Sequence, residues 1–133
     1  PNAIGCIRMN MDGKNLSALA DPMHVQQIMW NFCNNAWRHS RQDEKAITVL
    51  IRPSGQLHIS IVVADNGSGV PPDVRNRLFE PFYTTEKTGT GLGLYVAREL
   101  AHANMGQLHY HPEMNGFELI LLRDENNDVQ QPT

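Results

Sequence analysis

Three glycines at alternate positions, Gly89, Gly91 and Gly93, stand directly before a helical pattern in the stretch EKTGTGLGLYVAREL. A helix N-terminus presents unpaired backbone N–H groups and the positive end of the helix dipole, and glycine lets an anion approach them closely. The spacing matches neither the P-loop nor the Rossmann motif. The triplet therefore predicts either a phosphate-binding loop or a flexible loop before an ordinary surface helix.

Two asparagines, Asn31 and Asn35, lie four residues apart and hence on one face of a predicted helix. Asparagine is a poor helix former, so its repeated use in NFCNN suggests a purpose beyond helix formation. An amide oxygen can be an Mg²⁺ ligand when nucleotide phosphates supply the negative charge, and Arg38 could reach the same phosphates. Exposed surface amides and a solvated arginine are the alternative interpretation.

An aspartate, Asp65, ends the apolar run ISIVVAD and is followed by Gly67 and Gly69. A carboxylate at the end of a buried strand needs hydrogen-bond donors, and the exocyclic amine of adenine would supply one. The alternative is a strand-ending Asp-Asn-Gly turn, which is common in proteins. Asp65 is therefore a candidate acceptor for a nucleobase.

The elements that must position these residues follow from hydrophobic periodicity and capping signals. Asp21 followed by Pro22 predicts the start of a helix over residues 22–39, and a second helix is predicted over residues 92–103. The strand-like segments, in chain order, are residues 3–9, 16–20, 46–53, 57–65, 107–111 and 116–122, although residues 16–20 are ambiguous because Ala and Leu also suit a helix. The last four form two antiparallel hairpins.

This order of elements predicts an α+β fold, a two-layer sandwich in which helices cover one face of a mixed sheet of about five strands. Residues 73–79 predict a short helix, and residues 79–90 a loop without a hydrophobic period. Residues 1–122 are expected to form the domain, and residues 123–133 a polar C-terminal tail.

Composition narrows the function classes. The 133 residues, 41% hydrophobic and 19% charged, fit one soluble globular domain. A net charge of -3 without a basic cluster argues against nucleic-acid binding. The two cysteines are too few for a disulfide framework, which favours a reducing compartment. Because the chain starts at Pro1, it is expected to be a fragment whose parent could carry a membrane anchor.

The Asn-bearing helix, the Asp-x-Gly-x-Gly turn, the stretch LFEPFYTT and the Gly-Thr-Gly-Leu-Gly-Leu loop resemble, in order, the N, G1, F and G2 boxes of the GHKL ATP-binding superfamily. The resemblance is closest to the catalytic ATP-binding domain of a bacterial two-component sensor histidine kinase and covers residues 21–121. It implies a Bergerat fold, in which ATP lies between the helices under a lid. The short lid and NAWRHS are similar to the nitrogen-regulation and type IV pilus sensor kinases.

The resemblance also implies roles for individual residues. Asn35 would be the Mg²⁺ ligand, with Asn31 and Arg38 assisting catalysis at the phosphates, and Asp65 would accept a hydrogen bond from adenine N6. The other cofactor-binding candidates are His39 near the nucleotide, Gly67 and Gly69 around the base, and Thr84, Thr85, Gly89, Thr90, Gly91, Leu92, Gly93 and Leu94 in the lid and G2 box.

Two further segments take roles from the resemblance. Lys87 is the predicted catalytic cation of the lid, although Glu86 stands where relatives often carry Lys, so the cation that contacts phosphate stays open. Phe79, Pro81 and Phe82 correspond to the segment that docks on the partner domain in this family.

The resemblance also locates the phosphoacceptor. Superfamily ATPases place a Glu general base one turn before the Mg²⁺ ligand, but this chain has Asn31 there, which cannot act as a base. None of the six histidines stands in an acceptor motif, so the acceptor is expected outside this chain. The expected partners are the dimerisation and phosphoacceptor domain of a homodimeric parent kinase and then a response regulator. The isolated domain is expected to be monomeric and cytoplasmic, with a parent that could be anchored in the inner membrane.

Two alternatives remain at this point. One is a stand-alone GHKL serine kinase of the anti-sigma-factor type, which phosphorylates a partner protein. The other is a nucleotide-gated binding module that switches a partner without transferring phosphate.

Overall fold

The computed structural model describes residues 7–11, 16–83 and 91–124. These residues form five strands, two α-helices and a short 3-10 helix. In chain order they are β1 (Ile7–Met11), α1 (Pro22–His39), β2 (Ile47–Ser54), β3 (His58–Asp65), the 3-10 helix Pro72–Arg77, α2 (Gly93–Ala103), β4 (Gln107–His111) and β5 (Gly116–Leu122). The predicted α+β sandwich is confirmed.

Helix α1 spans the predicted residues because its sequence carries both a start signal and an apolar stripe. The Asp21 side chain accepts a hydrogen bond from the Met23 N–H at 2.9 Å, and the proline at the first position needs no N–H partner. Ile28, Phe32 and Ala36 recur at four-residue spacing and are all buried. The stripe turns the opposite side of the helix, with its polar residues, towards solvent.

The sheet has the strand order β1-β2-β3-β5-β4. Strands β2, β3, β5 and β4 are antiparallel, and β1 joins β2 in parallel, so the sheet is mixed as predicted. The pairing of β3 with β5 sets Ala64 opposite Gly116. This register brings the turn that precedes β5 next to Asp65 at the end of β3.

One face of the sheet packs against both helices and forms the core. Alternate residues of the central strands, such as Val49, Val63 and Leu119, are buried there against α1 and α2. The rings of Phe32 on α1 and Phe117 on β5 lie 5.6 Å apart. Burial of this face fixes the register of the strands, because a one-residue slip would expose the apolar set.

Several boundaries differ from the predictions. β1, Ile7–Met11, extends two residues beyond the predicted segment 3–9, whose first four residues lie outside the described part of the chain. The predicted strand at 16–20 is wrong, since only Ala18 pairs, with Arg123. The short helix is a 3-10 helix that begins at Pro72, and α2 begins at Gly93. Short segments carry no periodic buried stripe, so tertiary contacts decide their conformation. For this reason the sequence does not predict their boundaries correctly.

Strand β5 ends at Leu122, where the sequence places the domain boundary. The next two residues are still attached, because the Arg123 N–H donates to the Leu57 carbonyl and the Asp124 N–H to the Ser17 carbonyl, each at 2.8 Å. In the part of the chain that the structure describes, neither helix combines the length and apolar character needed to cross a membrane.

Candidate functional site

A pocket opens between the C-terminal half of α1, the turn after β3, the start of α2 and the β4–β5 hairpin. Its cavity volume is about 170 Å³, and the pocket is partly open to solvent. Six of the predicted site residues line it: Asn35, Arg38, His39, Asp65, Gly69 and Leu94. The remaining lining residues are Ser68, Val70, Pro71, Val74, Leu78, Tyr83, Tyr110, Asn115 and Phe117.

Asp65 lies in the pocket at the end of β3 and is half-buried. Its Oδ1 accepts hydrogen bonds from the Gly67 N–H at 2.7 Å and from the Asn115 amide at 3.3 Å. Burial raises the pKa of Asp65 above its ordinary value, and the Gly67 N–H, the charge at His39 and the Asn115 amide partly offset this rise. The site thus holds a carboxylate in surroundings that oppose its charge, an arrangement more frequent in functional sites than on ordinary surfaces.

Gly67 stands where the turn after β3 meets the end of α1. A Cβ at this position would lie 1.9 Å from the His39 carbonyl oxygen, so only glycine fits. The Asn66 side chain also bonds to this end of the helix, since its oxygen accepts from the Arg41 N–H at 2.9 Å. The turn and the helix end are therefore held together as one wall of the pocket.

In contrast to the carboxylate at Asp65, helix α1 contributes a neutral amide and a cationic side chain to the pocket. Asn35 lines the pocket, and its side-chain amide makes no hydrogen bond with the residues that the structure describes. Arg38 and His39, one turn further, are exposed and line the pocket as well. The wall formed by α1 therefore offers an amide and a guanidinium to a ligand.

Asn31 does not line the pocket, although it shares a face of α1 with Asn35. Its amide donates to the Gly93 carbonyl at 3.1 Å, and its oxygen accepts from the Gln27 amide at 3.2 Å. The side chain joins α1 to the first residue of α2. In this structure Asn31 borders the site and positions the helix that follows the glycine-rich loop.

The F-box segment contains two phenylalanines in different surroundings. Phe79 packs on the core, edge-on to Phe117 with 6.0 Å between the ring centroids. Phe82 is 73% exposed and has a φ of 66°. Its N–H donates to the Gly91 carbonyl at 2.8 Å, and a Cβ on Gly91 would lie 2.3 Å from the Phe82 carbonyl carbon. Gly91 is therefore required by this close approach.

Part of the predicted lid lies outside the described residues, namely Thr84, Thr85, Lys87, Gly89 and Thr90. Of the remaining G2-box residues, Leu94 lines the pocket, and Leu92 and Gly93 lie at the start of α2. Nothing lies within 4 Å of where a Gly93 Cβ would be. The described residues therefore do not require glycine at position 93.

Two polar residues of the β4–β5 hairpin that no sequence motif marks, Tyr110 and Asn115, also line the pocket. The sequence predicts only a turn at Asn115, and the φ of 55° there agrees with turn chemistry. That the same side chain reaches Asp65 depends on the pairing of β5 with β3. No local sequence pattern predicts this strand pairing. The only signal in the sequence is the Asn-Gly turn itself, which marks a hairpin but not its contact with Asp65.

No group of three or more His, Cys, Asp or Glu side chains that could hold a metal ion occurs among the described residues. The pocket instead offers the neutral oxygen of Asn35. Such a donor fits a magnesium ion that arrives with negatively charged phosphates and retains several of its waters.

Comparison with known proteins gives a consistent result. The family model described as "Histidine kinase-, DNA gyrase B-, and HSP90-like ATPase" matches residues 20–125. The sensor protein kinase PilS of Pseudomonas aeruginosa is 34% identical over 114 residues, which cover 83% of this chain and 21% of that protein. The sensory histidine kinase/phosphatase NtrB of Salmonella typhimurium is 32% identical over 99 residues, 68% of this chain and 28% of that protein. The chain thus spans 21% and 28% of the length of these two curated relatives.

Solved structures with the same fold include the mycobacterial sensor histidine kinase MprB, with a TM-score of 0.71 at 21% identity, covering 88% of this chain and 84% of that chain. Full-length ShkA in complex with AMPPNP gives a TM-score of 0.65 at 30% identity and covers 88% of this chain and 24% of that chain. The first likeness concerns the fold alone. The second is to a protein solved with an ATP analogue.

Proposed function

We propose that this chain, which belongs to the family of histidine kinase-, DNA gyrase B- and HSP90-like ATPases, binds magnesium and ATP and donates the γ-phosphoryl group to a histidine on a separate dimerisation domain. It would thereby be the ATP-binding catalytic domain of a sensor histidine kinase. The observation that carries the proposal is one pocket whose lining includes Asp65 from β3 together with Asn35 and Arg38 from α1.

The adenine would bind at Asp65. A carboxylate oxygen can accept a hydrogen bond from the N6 amine of adenine, whereas guanine presents a carbonyl oxygen at the equivalent position. Two acceptors facing each other in a half-buried pocket repel and leave both unsatisfied, so the pocket would favour ATP over GTP. Val74, Leu78 and Leu94 line the same pocket and would contact the apolar faces of the nucleoside.

The phosphates would bind along the wall formed by α1. Asn35 would supply an oxygen ligand to Mg²⁺, and Arg38 would donate charge-assisted hydrogen bonds to phosphate oxygens. When bound, the ion would neutralise phosphate charge during transfer. The protein's contribution would be to position the γ-phosphate and to neutralise its charge, with no covalent chemistry of its own.

The nature of Asn31 favours transfer over hydrolysis. Its amide is bonded to the Gly93 carbonyl and to Gln27, and an amide cannot remove a proton from water. An imidazole is a better nucleophile than unactivated water, so the phosphoryl group would pass to an acceptor histidine brought by another domain.

The partners follow from this division of labour. The chain would act with the phosphoacceptor domain of its homodimeric parent kinase, and a response regulator would receive the phosphoryl group next. The exposed Phe82 supports a docking role for the F box. Its large apolar side chain is 73% exposed, so a partner that covers it would lower the free energy of the complex. The domain would work in the cytoplasm, with a parent that could be anchored in the inner membrane.

Incubation of the domain with radiolabelled ATP, with and without the dimerisation domain of the same kinase, tests the proposal. The domain alone should neither hydrolyse ATP appreciably nor label itself. The dimerisation domain added in trans should become labelled, slowly because no covalent tether raises its local concentration. The label should be acid-labile and alkali-stable, as a phosphoramidate on imidazole is. An acid-stable phosphoserine on a partner would instead indicate the anti-sigma type of kinase, and ATP binding without any transfer would indicate a nucleotide-gated module.

The same assay measures the docking contribution of Phe82. Phe82→Ala should slow the transfer several-fold and leave the affinity for ATP nearly unchanged. Met105→Ala is the matched control, since Met105 is 75% exposed but lies after α2 and lines no part of the pocket. Equal transfer rates for the two variants would show that Phe82 does not contribute to docking.

A further inference from the structure

Asn115 makes more contacts with the end of β3 than its place in a hairpin turn requires. Its side-chain amide donates to the carbonyl oxygens of Asp65 and Gly67, at 2.9 and 3.0 Å, and lies 3.3 Å from Asp65 Oδ1. The Asn115 carbonyl in turn accepts from the Asp65 N–H at 3.1 Å. Asn115 therefore holds both the main chain and the carboxylate of Asp65.

The Asn115 amide is held at both ends, by two backbone carbonyls at its nitrogen and by Tyr110 at its oxygen. The Tyr110 hydroxyl donates to Asn115 Oδ1 at 3.2 Å and accepts from the Val70 N–H at 3.1 Å. The carbonyl oxygens of Asp65 and Gly67 can only accept, so the amide nitrogen must face them, and Oδ1 is left to accept from the Tyr110 hydroxyl. The Tyr110 ring is held in turn, edge-on to Phe117 at 5.4 Å and below the Arg75 guanidinium at 5.4 Å from the ring centre.

These bonds leave Asp65 with one oxygen for a ligand. In the described part of the chain, the donors from Gly67 and Asn115 both approach Oδ1, and no described donor bonds to Oδ2. A carboxylate fixed in this way does not have to lose rotational freedom when a nucleobase amine binds. The held carboxylate is thus an acceptor of defined direction.

We propose that Asn115, held at its oxygen by Tyr110, is the positioning residue that aims the Asp65 carboxylate at the N6 amine of adenine. This inference rests on the proposed function, because it presupposes that the pocket binds an adenine nucleotide. It assigns to the β4–β5 hairpin a part in nucleobase selection.

The cleanest test is Asn115→Gly, measured by calorimetric titration with ADP and with GDP. Asn115 has a φ of 55°, which glycine adopts without strain, so the variant removes the side chain and its hydrogen bonds without straining the backbone at position 115. We expect ADP affinity to fall about 10-fold, the size typical of one lost hydrogen-bonding partner at a charged group, and the preference for ADP over GDP to fall with it. Adenosine should lose affinity by the same factor, because the defect is at the base.

Met105→Gly is the matched control. Met105 has a φ of 59° and is 75% exposed outside the pocket, so the same exchange there should leave the affinity for ADP unchanged. Tyr110→Phe provides a second, milder variant, which keeps the ring packing and removes only the hydroxyl. It should lower ADP affinity about 3-fold, because the Asn115 amide loses one of its fixed partners. If Asn115→Gly does not fold, as judged by circular dichroism, Tyr110→Phe decides the outcome.

The reference variant Asp65→Asn separates this inference from the function on which it rests. Loss of ADP binding in Asp65→Asn, with unchanged affinity and unchanged nucleobase preference in Asn115→Gly and Tyr110→Phe, would overturn the positioning role and leave the proposed function intact. A loss in Asn115→Gly that affects ADP but not adenosine would overturn it too. Unaltered ADP binding in Asp65→Asn would instead contradict the assignment of the adenine site.

Discussion

The two ends of the pocket are built differently. At the end of β3, Asp65 is bonded through its main chain and its side chain to Gly67 and Asn115. Along α1, the Asn35 amide has no hydrogen-bond partner among the described residues, and Arg38 is exposed. The end of the pocket at Asp65 is organised before a ligand binds, whereas the α1 end offers polar groups that a ligand must order. Under the proposed function, base recognition at Asp65 would supply selectivity, and phosphate recognition along α1 would respond to charge.

The largest effect is expected at the organised end, from Asp65→Asn. The replacement keeps the shape and the bond from the Gly67 N–H, but it removes the negative charge that would accept the adenine amine in the proposed function. The affinity for ATP should fall about 100-fold, near the upper range for a lost hydrogen bond to a charged group, and discrimination against GTP should weaken. Calorimetric titration with both nucleotides measures the two quantities.

A fold control accompanies this measurement. The far-ultraviolet circular dichroism of Asp65→Asn should match that of the parent, since Asn can accept the same 2.7 Å bond from Gly67. Tight ATP binding by the variant would mean that the end of the pocket at Asp65 does not recognise the nucleobase. The difference between the two ends of the pocket would then not reflect base and phosphate binding.

The next effect is expected at the α1 end, from Asn35→Ala. With Mg²⁺ present, the affinity for ATP or the rate of transfer should fall about 10-fold, because the ion loses a ligand. In EDTA the parent and the variant should bind nucleotide almost equally. Titrations with and without Mg²⁺ therefore report the metal-dependent part alone.

Asn34→Ala is the matched control for Asn35→Ala. Asn34 lies on the same helix, and its amide donates to the Trp30 carbonyl rather than reaching the pocket, so the exchange changes helix propensity equally. Affinity should be unaffected with or without Mg²⁺. A loss for Asn35→Ala of equal size in EDTA would contradict its role as a metal ligand.

The same contrast explains what could be predicted from sequence. Helix α1 was predicted to the residue because Asp21, Pro22 and the buried stripe are local signals. Asp65 was identified because it ends an apolar strand. The network around Asp65 could not be predicted, since it joins Asn115 to a strand 50 residues away through the β3–β5 pairing. Local sequence signals identify candidate ligand-binding residues such as Asp65. Which side chains position those residues depends on tertiary strand pairing and cannot be predicted from local sequence.

The smallest effect concerns the stability of the ligand-free domain. Burial raises the pKa of Asp65 above 3.8, its ordinary value, so the folded state binds this proton more tightly than the unfolded state does. The stabilising contribution of the protonated carboxyl is fully present below 3.8 and is lost as the pH rises through the folded-state pKa. At neutral pH the parent therefore carries the cost of a partly desolvated charge that Asp65→Asn lacks.

Thermal unfolding at a series of pH values measures this cost. The melting temperature of Asp65→Asn should exceed that of the parent at pH 7 by about 1–3 °C, a small shift because water screens a half-buried charge. The difference should close as the pH falls below 3.8, where the parent carboxyl becomes protonated in both the folded and the unfolded state. A difference in melting temperature that does not change with pH would mean that it does not arise from the Asp65 carboxylate charge. A variant that binds ATP poorly yet melts higher would show that the organised end of the pocket is maintained for binding at the expense of stability.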